Sequence, residues 1–320
     1  MKSILLSFSA LLCFLMVACQ QAPTKIIQHE EVVTEKGQSV SALMKDQPVI
    51  LDARTPFDFN LNHVPSAINV RWEDFSQQEP HMRGVLEKDL YGMARRLSLI
   101  GIDPNTPVLV LGQGPAGHGE EGRVAWTLRV LGVNKVTTVN VTELRSQPPQ
   151  DAGPVLNKPT WKPVVDETLN TDILTFRKLV LNEELAPKKM LHKVSPLSKS
   201  SLANESTTVF GHALEEVKAK SVVLDVRSPA EFDLENLSQN KDIKIPVYNI
   251  EWKEFFDDRG LPGKDLQQKL EAKGITPQTY VFVISRNGVS SGAVTYALRF
   301  RGNNLVTNFA GGYDQWNNNK

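Results

Sequence analysis

Ile50-Leu51-Asp52-Ala53-Arg54-Thr55-Pro56-Phe57-Asp58-Phe59 returns, 173 positions later, as Val223-Leu224-Asp225-Val226-Arg227-Ser228-Pro229-Ala230-Glu231-Phe232. In both stretches a short apolar run ends in Asp-x-Arg, and an acidic and aromatic pair follows. The match continues at the same offset: Gly101-Ile102-Asp103-Pro104 pairs with Gly274-Ile275-Thr276-Pro277. Each is followed by a β-branched run, Pro107 to Leu111 and Tyr280 to Ile284, which reads as a buried strand. Leu128-Arg129 with Gly132 then matches Leu298-Arg299 with Gly302 at an offset of 170, so the segment after that strand is three residues longer in the first copy. The chain is therefore an internal repeat, and its copies differ in loop length.

Within each copy, short apolar strands alternate with amphipathic helices. Glu120 to Leu131 and Ser291 to Arg301 carry apolar residues at helical spacing, while Val136 to Val141 and Leu305 to Phe309 return to strand. This alternation predicts an α/β fold in which a mostly parallel sheet is covered by helices on both faces. Ligands of such folds sit beyond the carboxyl ends of the strands, where helix N-termini point. The length of 320 residues fits two such domains. Equal numbers of Lys+Arg and Asp+Glu, 36 of each, argue against a nucleic-acid partner, which needs a basic face.

Both cysteines, Cys13 and Cys19, fall in the first twenty residues, so no downstream disulfide or cysteine-ligated metal is possible. Lys2 followed by an apolar run from Ile4 to Ala18 reads as a secretory signal, too short for a spanning helix. Its end, Met16-Val17-Ala18-Cys19, resembles a bacterial lipobox. That resemblance implies cleavage after residue 18, lipidation of Cys19 and a membrane partner through the lipid, facing the periplasm from the outer membrane in a Gram-negative cell. The mature chain then has no free thiol. The predicted layout is a signal peptide at 1–18, a tether at 19–36, domains at 37–145 and 209–320, and a connection at 146–208. Within the connection, Ile173 to Leu185 reads as a helix and Ala186 to Ser206 as an irregular loop.

The Asp-x-Arg openings, His63-Val64-Pro65-Ser66-Ala67-Ile68-Asn69 in the first copy and Ala310-Gly311-Gly312-Tyr313-Asp314-Gln315-Trp316 at the end of the second together resemble the rhodanese domain. The whole mature chain is similar to a tandem sulfurtransferase of the thiosulfate or mercaptopyruvate type. Two motif elements have drifted. The first copy lacks the closing Gly-Gly-x-x-x-Trp, and the second has Ile243-Lys244-Ile245-Pro246-Val247-Tyr248-Asn249 in place of the family's Gly-His-x-x-Gly-Ala.

The resemblance places a catalytic cysteine after the central strand, at the bottom of a loop whose N–H groups and following helix stabilise a persulfide. Here that loop is Ser285-Arg286-Asn287-Gly288-Val289-Ser290-Ser291, which resembles the family's Cys-Arg-x-Gly-Val-Thr/Ser except at its first position. A serine hydroxyl is un-ionised at neutral pH and cannot carry a persulfide. Its activation would need a base, and none of His29, His63, His81, His118, His192 and His212 is adjacent in sequence, although His63 or His118 could approach across a domain interface. Arg286, the Ser290 and Ser291 hydroxyls and the loop N–H groups remain candidate donors to a small oxyanion.

In the first copy Gly112 takes the nucleophile's place, sixty residues after Asp52 as Ser285 is sixty after Asp225. Its loop, Gly112-Gln113-Gly114-Pro115-Ala116-Gly117, also spells the dinucleotide fingerprint. Against that reading, Pro115 removes a donor, Glu120 and Glu121 put negative charge at the pyrophosphate position, and no acid ends the next strand. His63 and His118 lack ligand spacing for zinc, and no cofactor is expected. Asp52 with Arg54 and Asp225 with Arg227 read as ion pairs bracing the loops, and Trp72 and Trp252 as core or interface aromatics. The sequence thus predicts a lipid-anchored envelope protein that has lost persulfide chemistry and binds a small oxyanion or another envelope protein. The alternative is an active sulfurtransferase.

Overall fold

In a computed structural model the described residues are 40–145, 157–181 and 221–318, apart from 258, 264 and 304. The lipobox, the tether and the loop at Ala186 to Ser206 lie outside them.

The first copy runs α1 (Val40–Lys45), β1 (Val49–Asp52), α2 (Pro56–Leu61), β2 (Ile68–Asn69), α3 (Leu90–Leu99), β3 (Val108–Gly112), α4 (Glu120–Leu131), β4 (Val136–Asn140) and α5 (Val141–Arg145). After α6 (Ile173–Val180), the second copy runs β5 (Ser221–Asp225), α7 (Pro229–Leu234), β6 (Val247–Asn249), α8 (Leu266–Ala272), β7 (Tyr280–Ile284), α9 (Val289–Phe300), β8 (Val306–Asn308) and α10 (Gly312–Asn318). The sheets have the same order, β2-β1-β3-β4 and β6-β5-β7-β8, and every pairing is parallel. Asp52 pairs with Leu111 and Asp225 with Ile284, so each Asp-x-Arg sits beside the end of a central strand.

The β-branched runs are buried because helices cover both sheet faces and the pleat alternates. Leu51, Val108 and Val110 face Met93, Leu97, Val124 and Trp126. Their neighbours Ile50, Leu109 and Leu111 face Leu43, Met44 and Leu144. Helix starts follow from local chemistry: Thr55 and Ser228 accept from the N–H of Asp58 and Glu231, each ahead of a proline whose fixed φ suits a first turn. The helix read at Ser291 to Arg301 begins two residues earlier, because Gly288 at φ +77° turns the chain directly into it.

The described part of the connection is built into both cores. Leu169 joins the first, Phe176 stacks on Phe309 in the second at 4.3 Å, and Asn170 bridges to Asn308 at the edge of the second sheet. The helix predicted over Ile173 to Leu185 ends at Val180, and residues from 182 on lie outside the described part.

The copies meet through α4 and α9, helices whose equivalent glycines allow close approach. A Cβ on Gly122 would overlap Ala293, and one on Gly292 would lie 3.1 Å from Arg123 Cδ. Gly122 thus contacts the repeat equivalent of Arg123, and Arg123 that of Gly122, in reciprocal fashion. Tyr296 extends across the same seam, its hydroxyl donating to the Val136 carbonyl at 2.9 Å.

Candidate functional site

Ser285 follows the last residue of β7, so its side chain leaves the carboxyl end of a central strand. It is 3% exposed. Its Oγ accepts the Gly288 N–H at 3.1 Å and shares a 3.0 Å hydrogen bond with Ser291 Oγ. Among the described residues no imidazole or carboxylate is hydrogen-bonded to it. His118 does cross the seam, but through its backbone: its carbonyl accepts the Ser290 hydroxyl at 3.3 Å. His63 stays in the first copy, stacked on Phe59. The hydroxyl therefore has two partners and, among the described residues, no general base.

The loop is held on three sides. The Ser285 carbonyl accepts from the Tyr313 N–H, and the Arg286 carbonyl from that of Asp314. A Cβ on Gly312 would collide with both carbonyls, and one on Gly288 with the Ala310 carbonyl, so the glycines leave the room in which the closing motif lies on the loop. Tyr313 also ties the loop to the opening motif: its hydroxyl donates to Asp225 at 2.9 Å while Arg227 lies over its ring. Burial, and then the Asp225 charge, push the Tyr313 hydroxyl far above its usual range, so it remains a donor.

The two Asp-Arg pairs are buried and nearly superposable. Arg54 meets Asp52 at 2.6 Å and donates to the Asn62 carbonyl; Arg227 meets Asp225 at 2.7 Å and donates to the Glu235 carbonyl. Trp252 is buried near Gly119 of the other copy, and Trp72 is packed against the first core.

The candidate anion donors divide. Ser290 and Ser291 hydroxyls are engaged within the protein, as above. Arg286 is 74% exposed at the loop rim, its Nε 3.7 Å from Asp314. Burial raises the Asp314 carboxyl, and the charges of Arg286 and Arg83 oppose that shift. The N–H groups of Val289, Ser290 and Ser291 precede the first i−4 bond of α9, made by Gly292, and so have no carbonyl within their own helix.

In the first copy Gly112 ends β3, and the space its missing side chain leaves is occupied by Glu121, whose carboxylate a Cβ at 112 would strike. Glu121 Oε1 accepts the Gly114 N–H at 3.0 Å, and Oε2 has no partner among the described residues. The repeat offset of 170 makes Glu121 the counterpart of Ser291. The hydroxyl pair of one copy is therefore a glycine and acid pair in the other, a complementary exchange that is visible in the aligned copies yet is not found by reading each loop alone. The chain's own carboxylate occupies a place a phosphate would need in this Gly-x-Gly loop, and Gly114, Pro115 and Ala116 form a tight turn closed by a bond from Gly117 to Gly114.

Glu121 is 8% exposed, and burial pushes its carboxyl up to about 7. A folded-state value above the unfolded one means stability is fullest below the ordinary carboxylate range and falls as pH rises toward 7. Glu121→Gln, which keeps an acceptor for Gly114, is expected to be neutral near pH 4.5 and to stabilise by on the order of 2 kcal/mol at pH 8. Melting curves of both proteins across that range check this; parallel pH profiles would contradict it.

Each loop is also covered by the other copy. Gly84 lies so close to the Asn287 and Ala310 carbonyls that a Cβ there would collide with both, and a Cβ on Gly114 would lie 2.8 Å from Gly260 Cα. Gly84 and Gly260 occupy equivalent turns, just ahead of Leu86 and Pro262 in the bridges Ser76 to Leu86 and Phe256 to Pro262. The capping is thus reciprocal.

Solved structures are similar to this chain in fold. SseA from Escherichia coli, described with the rhodanese fold of the 3-mercaptopyruvate sulfotransferases, has 17% identity over 83% of this chain and 93% of its own, with a TM-score of 0.56. YnjE has 16% identity over 89% of this chain and 63% of its own, with a TM-score of 0.60. A cysteine-to-serine variant of EanB in complex with hercynine has 15% identity over 85% of this chain and 62% of its own, with a TM-score of 0.58. This chain thus spans under two thirds of the last two. No curated protein matches the sequence. The Rhodanese-like domain family matches residues 37–140 and again 210–319. With both sheets, both Asp-x-Arg pairs and both strand-end loops in place, the chain belongs to the rhodanese-like family as a tandem of two copies.

Proposed function

We propose that this protein is a lipid-anchored, extracytoplasmic tandem rhodanese-like protein that carries no sulfane sulfur and uses its second loop to bind a small oxyanion or an envelope partner. One observation carries the reading: at the strand end where the family's nucleophile belongs stands a buried hydroxyl whose partners are Ser291 and the Gly288 N–H, with no base hydrogen-bonded to it among the described residues. An oxygen held this way neither ionises near neutrality nor forms the sulfur–sulfur bond of a persulfide. The N–H groups at the head of α9 and the exposed Arg286 still favour negative charge there. EanB offers a parallel, since its cysteine-to-serine variant forms a complex with hercynine.

A second reading, active sulfur transfer from thiosulfate or mercaptopyruvate, draws on the family and on the loop that remains around Ser285. Intact-mass measurement after exposure to thiosulfate separates the two. The mature protein is expected to gain no sulfur and to turn over no cyanide, and to melt higher in sulfate, thiosulfate or phosphate than in chloride at equal ionic strength. Turnover abolished by Ser285→Ala would establish the enzyme reading instead. Anchoring is tested separately: palmitate labelling is expected in the full chain and absent in Cys19→Ala.

A further inference from the structure

Arg123 is a side chain of the first copy buried beneath the loop of the second. It is fully buried, and among the described residues no carboxylate lies within ion-pair distance of its guanidinium. Nη1 donates to the Gly288 carbonyl at 3.1 Å, and Nη2 to the Gly84 carbonyl at 2.7 Å and Ser76 Oγ at 3.2 Å. Nε has no partner among the described residues. The ring centroids of Trp126 and Trp72 lie 4.4 and 5.9 Å from Cζ. Burial lowers the guanidinium to about 9, so it is cationic throughout the neutral range.

A buried charge is ordinarily paired, because an uncompensated one is strongly disfavoured in a low-dielectric interior. Here the acceptors are neutral, and one of them belongs to the loop itself. The Gly288 carbonyl also receives Asn308 Nδ2 at 3.4 Å and the first helical N–H of α9, from Gly292. In a planar trans peptide the carbonyl and the next N–H point in opposite directions. Donors on the Gly288 oxygen therefore polarise the Val289 N–H, which faces away from Arg123 toward the head of the helix.

We infer that Arg123 is a positioning residue that sets the charge of the second loop: its guanidinium, held on the Gly288 carbonyl, is the fixed cation against which a small anion at the head of α9 is held. This rests on the oxyanion reading proposed above for the ligand. The charge effect itself can be measured without any ligand. It also gives the tandem arrangement a role, since the cation comes from one copy and the loop from the other.

The probe is a Ser285→Cys protein that also carries Cys13→Ser and Cys19→Ser, so that its one remaining thiol, on the same Gly288 N–H, reports the local potential through its thiolate absorbance against pH. The other charges near the loop, Arg286, Arg83 and Asp314, stay unchanged in every variant. Adding Arg123→Gln, which keeps donors and removes the charge, is expected to cut the thiolate fraction at pH 7 about tenfold, as loss of one nearby charge in a partly screened interior should. Arg123→Lys is expected to stay within about threefold of the parent. Asn308→Asp, which leaves Arg123 intact and supplies the missing carboxylate beside it, should move the thiol in the same direction as Arg123→Gln. A titration unchanged by Arg123→Gln overturns the inference; if that protein does not fold, one unchanged by Asn308→Asp does so. Failure of sulfate to raise the melting temperature of the Ser285 protein counts against the oxyanion reading alone, while the thiol titration decides the role of Arg123.

Discussion

Ser285→Cys is expected to make the protein hold a cyanide-labile sulfur, at least a hundredfold above the parent's background in a thiosulfate assay. The change replaces an oxygen with an atom that ionises near neutrality. The rest of the loop is in place: the Gly288 N–H at 3.1 Å, the Ser291 hydroxyl at 3.0 Å and the head of α9. The larger sulfur must displace Ser291 slightly, and Gly84 lies hard against the Asn287 and Ala310 carbonyls, so the gained turnover is expected to stay below that of an enzyme built around cysteine. Mass spectrometry after donor exposure, followed by loss of the added sulfur to cyanide, checks the result. A variant that folds, ionises its thiol and still takes up no sulfur would show that the cover, and not the missing thiol alone, closes this site to the chemistry.

The second large effect concerns the backbone. Gly288→Ala combines a left-handed φ of +77° with a Cβ driven into the Ala310 carbonyl. The conformational penalty is about 1 kcal/mol, and forcing backbone atoms apart adds about 1–3 kcal/mol. A loss of about 3 kcal/mol corresponds to a fall of roughly 6–12 °C in melting temperature for a unit of this size. Gly274 and Gly302 provide internal controls. Their φ values are +74° and +92°, and nothing lies within 4 Å of an added Cβ. Alanine at either should show the conformational penalty alone. Equal losses at all three positions would mean that the closing motif yields to the added methyl and does not press on the loop.

The two-sheet architecture was legible in the sequence because a fully buried parallel strand leaves a continuous β-branched run. The two helices framing the loops were legible from their apolar spacing. The Asp-x-Arg repeats fixed which strand ends lie together, and Ser285 was identifiable because every other residue of its loop matched the family pattern. What could not be read was tertiary. Arg123 sits in an amphipathic helix like any surface arginine, and only the crossing of α4 and α9, made possible by Gly122 and Gly292, places it under the other copy's loop. Glu121 appeared only as negative charge near a glycine loop; its role as the filler of the Gly112 space required strand register and helix start together. Residues 157 to 181 had the composition of a connection, yet Leu169 and Phe176 are core residues of the two copies. The buried Leu169, Phe176, Leu179 and Val180 alternate with apolar residues that stay exposed, such as Val164 and Leu174, so apolar content alone did not mark the residues that enter the cores.

The reciprocal seating of Gly84 on one loop and Gly260 on the other gears the two halves together. Each loop takes one wall from the opposite half, so neither half expressed alone would hold a complete surround for its own strand-end loop.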